Sequence, residues 1–160
     1  MSVSKVILIV VLCGLGMFIL LLYVALSPTI RTVSKNVAFS SILNKPVTST
    51  TKLYLQQYPT GSYRFISNVL SRDSISVGTT VLDIPSGSSF TIKAFKKYTN
   101  NAGSGSTSIY ILGEYAPGKD AAIAFEYYWG SVDNTKGASS KLPVAFWQTE
   151  ADQQIIFINR

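Results

Sequence analysis

Hydrophobic positions run unbroken from Val6 to Leu26, VILIVVLCGLGMFILLLYVAL, 21 residues without a charge or a strongly polar side chain. As a helix this run measures roughly 31 Å at about 1.5 Å per residue, matching the ~30 Å hydrocarbon core of a bilayer. A helix on the surface of a soluble domain needs a polar face, and this one has none. Tyr23 sits near one end, where an amphipathic ring favours the headgroup level. Ser27-Pro28 follows with a cap residue and a first-turn proline, so the spanning helix stops or kinks there. The pattern predicts a retained transmembrane helix over residues 6–26 behind a short tail of residues 1–5. A cleavable signal peptide would also begin with a basic residue, here Lys5, but its apolar region is shorter, about 7–15 residues. A pilin-type leader is the second rival. The basic-Gly junction and early acidic residue expected of pilins are missing from this chain.

Over residues 27–46 the pattern is mixed. Ile30, Val33 and Val37 share one helical face, while Arg31 and Lys35 stand together on another. This segment reads as a connector or stalk, either a short helix or extended chain, ending before Lys45-Pro46. From residue 47 to 160 helical periodicity gives way to short runs rich in Val, Ile, Thr, Tyr and Phe. Strands are expected at 52–57, 62–70, 74–84, 88–98, 107–115, 121–129, 143–148 and 154–159, separated by turn clusters such as Pro59-Thr60-Gly61 and Pro85-Ser86-Gly87. The clearest hairpin joins 88–98 to 107–115 through the polar tip TNNAGSGS. The expected fold is a single N-terminal transmembrane helix plus a mainly-β domain, an antiparallel β-sandwich or small barrel of about 7–8 strands.

Composition narrows the chemistry. The 160 residues include no histidine and one cysteine, so the commonest general base, an intrachain disulfide and a multi-cysteine metal site are all missing. No catalytic residue, cofactor or metal site is expected. Ser49 and Lys52 fit a Ser-x-x-Lys spacing, but the companion motifs of that enzyme class are absent and the stretch reads as strand. Glu150 and Asp152 would share a strand face, as solvated charge. Asp133 to Gly137 resembles a calcium loop in composition only, without its alternating acidic ligands. The net charge of +6 is spread thinly, and Lys93, Lys96, Lys97 and Tyr98 do not make the dense basic cluster that nucleic acid demands. A small-molecule substrate is not expected either.

Three groups of residues remain as candidates. Tyr127, Tyr128 and Trp129 follow one another on a strand, so they cannot all face one core, and with Trp147 they form the candidate partner-contact set. Cys13, Gly14 and Gly16 lie mid-span as a small-residue patch for packing against another helix. Arg31 and Lys35 follow the anchor closely enough to touch anionic lipid headgroups. The near-balanced flanking charge fixes orientation poorly. The polar, Tyr-rich composition downstream favours the N-terminus inside and the β domain outside, in a periplasm, an extracellular space or on a virion surface.

The function expected from these features is non-catalytic: a structural or assembly/accessory subunit of a cell-envelope or virion membrane complex. Its partners would be membrane lipid and other protein subunits, including copies of itself. A pilin-like filament subunit, with the apolar helix packed in a filament core, is the alternative reading. A membrane-bound hydrolase comes third.

Overall fold

The computed structural model describes residues 2–35, 37–74, 76–102, 106–118, 121–132 and 142–150. The apolar run forms helix α1, Val3–Leu26, and none of its side chains is buried within the chain. Ser27 closes it: both its N–H and its hydroxyl donate to the Tyr23 carbonyl, at 3.0 and 2.6 Å. Pro28 does not start another helical turn. The chain goes directly into strand β1, Thr29–Thr32.

The segment read as a connector is thus built partly into the sheet. After β1 come a single helical turn α2, Val37–Ser40, and strand β2, Pro46–Thr48. Strands β3 (Leu53–Gln57), β4 (Asn68–Ser71), β5 (Thr79–Ile84), β6 (Ser89–Thr99), β7 (Thr107–Tyr115) and β8 (Ile123–Val132) complete the domain. The eight strands form one mixed sheet in the order β1-β6-β7-β8-β4-β3-β5, with β2 pairing the first part of β6 on the side where β1 pairs its last part. All pairings are antiparallel except β4 with β8. The architecture is the expected helix followed by a mainly-β domain, although the sheet stays open and contains this one parallel pair.

Alternation along β6, β7 and β8 sends Phe90, Ile92, Phe95, Ile109, Ile111, Phe125, Tyr127 and Trp129 into one core, which Leu53, Leu55, Leu70 and Ile84 enter from the other strands. Gly113 makes room for this packing, because a Cβ there would come within 2.6 Å of the Phe125 ring and 2.8 Å of the Thr91 carbonyl. Residues 143–148, expected as a strand, instead form a turn that plugs the core. Ala145 and Phe146 are adjacent and both fully buried, which strand alternation forbids. The Gln148 N–H donates to the Ala145 carbonyl, and the Gln148 side-chain oxygen accepts from the Ala145 N–H. The strand expected at 154–159 lies outside the described residues, as do Asp152 and the 133–137 stretch.

Candidate functional site

Strand β8 reads Ile-Ala-Phe-Glu-Tyr-Tyr-Trp over residues 123–129, and its period of two sorts these side chains. Phe125, Tyr127 and Trp129 point into the core, while Tyr128 stands on the opposite face and is 48% exposed. The Trp129 indole donates to the Pro143 carbonyl at 2.7 Å, and Trp147 packs beside it at 5.5 Å between ring centroids. Of the four aromatic residues singled out from the sequence, three therefore help to build the core or its rim. Tyr128 is the one left exposed on the surface.

Glu126 shares the Tyr128 face, yet it is only 3% exposed. A buried carboxylate needs donors, and the loop from β3 to β4 folds over β8 to provide them. The backbone N–H groups of Arg64, Phe65 and Ile66 donate to the two Glu126 oxygens at 3.0, 2.6 and 3.0 Å. Three consecutive amides converging on one carboxylate cannot belong to a strand, whose successive amides point to opposite edges. This explains why the strand expected at 62–70 is formed only from Asn68 onward.

Beside this clasp an open cleft of about 460 Å³ lies over the junction of β4 and β8. The two strands register at Val69↔Glu126 alone. Residues following that point on both strands, Ser71 and Arg72 on one side and Tyr127 and Tyr128 on the other, line the cleft together with Tyr63 and Arg64 of the loop. The Arg64 guanidinium lies 4.7 Å from the Tyr98 ring centroid, in cation–π contact. Tyr110 lines the same cleft, its ring packed on Phe65 and Tyr128 at 5.5 and 5.4 Å. Arg72 donates to the Val144 carbonyl at 2.7 Å and lines the cleft with Tyr127. Burial raises both the Tyr110 and the Tyr127 hydroxyl above the usual phenol pKa, and the adjacent arginine opposes that rise in each case.

Chemically, the cleft offers two guanidinium groups on an aromatic wall. Among the described residues the ion pairs are Lys52–Asp83 and Lys93–Glu114, so neither arginine is paired with a carboxylate of those residues. Such a surface suits an anionic or aromatic segment of another protein. No protein-family model, curated protein or solved structure matches the chain.

The remaining candidates lie elsewhere. Ser49 is buried and its hydroxyl contacts the Pro85 carbonyl at 3.4 Å, while Lys52 pairs with Asp83 at 2.8 Å. The Asp83 hydrogen bond raises the Lys52 pKa. Cys13 is exposed on α1, and nothing approaches the space a Cβ would take at Gly14 or Gly16. Lys35 is exposed just after β1, and Arg31 stands opposite Lys97 in the β1–β6 ladder. Sequence reasoning missed Arg64, Arg72 and the role of Glu126. The available signal was a lone acid inside the apolar strand 123–129, which marks a charge that the fold must satisfy.

Proposed function

We propose that this chain is a single-pass, membrane-anchored binding subunit that assembles with other proteins of a cell envelope or virion membrane through the β4–β8 cleft. The reading rests on α1: 24 residues, overwhelmingly apolar and wholly uncovered by the rest of the chain, followed at once by a folded β domain. Such a helix requires lipid or other helices around it. The cleft supports the second half of the reading, since exposed Tyr and Arg are the side chains that most often carry binding energy at protein interfaces. On this reading the N-terminus is inside and the β domain outside.

Gentle detergent extraction followed by size exclusion with light scattering tests the proposal. A particle much heavier than one 17.4 kDa chain plus detergent, crosslinked to another protein through a photoreactive residue at position 128, is the expected result. A clean monomer with no crosslink rejects it. Sedimentation of intact polymers without detergent would favour a filament subunit instead.

A further inference from the structure

Only Ser27 and Pro28 separate the last residue of α1 from β1, and the β6–β7 connection is tied to this junction. The Asn101 side-chain amide donates to the Ser27 carbonyl at 2.6 Å and to the Thr29 hydroxyl at 3.0 Å. The ladder then runs Thr29↔Thr99, Ile30↔Tyr98, Arg31↔Lys97 and Thr32↔Lys96, so the chain leaving α1 pairs at once with the end of β6. Directly opposed residues of an antiparallel pair project from the same face. Arg31 and Lys97 therefore form a like-charge pair that backbone hydrogen bonds hold in place, an arrangement that destabilises a sheet unless an anion joins it.

No carboxylate does so among the described residues, where the ion pairs lie at Lys52–Asp83 and Lys93–Glu114. Partial burial, and then Arg31, lower the Lys97 pKa, the direction expected for a cation without a counter-charge. On the other face of the same ladder Ile30 is 53% exposed beside Tyr98, an aliphatic and an amphipathic ring of the kind that settles at a bilayer interface. Arg31 is five residues beyond Leu26, at most roughly 17 Å of extended chain. That distance is comparable to the headgroup layer plus one Debye length.

We propose that Arg31 and Lys97 form a binding site for the phosphate of an anionic lipid headgroup, seating the β domain directly on the bilayer. This inference rests on the reading of α1 as a lipid anchor. Lys35 adds charge nearby without belonging to the paired site.

The test uses the full chain in nanodiscs of phosphatidylcholine, with or without phosphatidylglycerol, and reads the rate of amine acylation at each lysine together with the unfolding midpoint. Phosphatidylglycerol is expected to slow acylation of Lys97 about fivefold relative to Lys93, which lies earlier in β6, away from the α1 junction, and is paired with Glu114. It should also raise the midpoint of the wild type. The Arg31→Gln/Lys97→Gln variant should match or exceed the wild type in phosphatidylcholine alone, because the repulsion is gone, and should gain nothing from phosphatidylglycerol. Lys97→Arg should retain the gain. Equal acylation of Lys97 in both lipids, or an undiminished gain in the double variant, overturns the proposal. So does an equal effect of inorganic phosphate in phosphatidylcholine discs, which would make this a free-anion site. Release of the chain from native membranes by alkaline carbonate would instead overturn the anchor reading itself, so the two failures are distinguishable.

Discussion

Thr50 and Phe146 are joined twice: the backbone N–H and the hydroxyl of Thr50 both donate to the Phe146 carbonyl, at 2.9 and 3.0 Å. This clasp closes a separation of 96 residues. It holds the Phe146 ring edge-on against Phe90, Phe125 and Tyr127, with centroids 5.0, 6.4 and 5.1 Å away. Phe146→Ala would leave a ring-sized void over the core face of β6 and β8. We expect a loss of about 3–5 kcal/mol, read from urea unfolding of the solubilised chain. A loss below about 1 kcal/mol would show that the plug does not stabilise the core.

Glu126→Ala should prove nearly as damaging for a different reason. It removes the acceptors of three part-buried amides, at a cost of about 3 kcal/mol. Hydrogen exchange gives a sharper test than global stability, since the amides of Arg64, Phe65 and Ile66 should lose protection together while those of β6 and β7 keep theirs. Glu126→Gln retains one acceptor oxygen and should fall between the two.

Tyr128 and Trp129 are adjacent, yet they should respond in opposite ways. Tyr128→Ala is expected to change stability by less than about 0.5 kcal/mol while reducing the mass of the extracted particle. Trp129→Ala should destabilise by about 3–5 kcal/mol, because it empties core volume and orphans the Pro143 carbonyl. If Tyr128→Ala left the particle intact, partner binding through this face would be excluded.

Alkaline pH should expose the buried phenols. Tyr110 and Tyr127 stay protonated in the fold at pH values where the unfolded chain already ionises them, because burial raises both pKa values. Their contribution to stability is therefore complete below about pH 10 and is lost as pH rises beyond it. Tyrosinate absorbance should lag behind that of a denatured control, and Tyr127→Phe should make the alkaline decline in stability shallower.

The helix and the long β6–β7 hairpin were legible because each repeats a single period over many residues: continuous apolarity at 6–26, alternation at 88–98. The sheet's edges were less so. Thr29–Thr32 and Pro46–Thr48 are short, and their strand character comes from pairing with β6, which no local pattern in TIRT or PVT announces. The turn at 143–148 was misread because Val144, Ala145 and Phe146 resemble a strand in composition, whereas tertiary clasps from Thr50 and Gln148 bend them. The cleft was half visible. Three consecutive aromatics required one outward-facing ring, which is Tyr128. The arginines that join it arrive from a loop and a strand end some sixty residues earlier, where sequence carries no trace of β8.

The two-residue junction between α1 and β1 has a consequence for how this chain meets its neighbours. A domain on a long flexible tether samples every bearing. This one has a two-residue junction held by the Asn101 hydrogen bonds, so a turn of α1 about its axis is passed on to β1 and the end of β6. A contact between helices inside the bilayer would therefore also choose the compass direction in which Arg64, Arg72 and Tyr128 face.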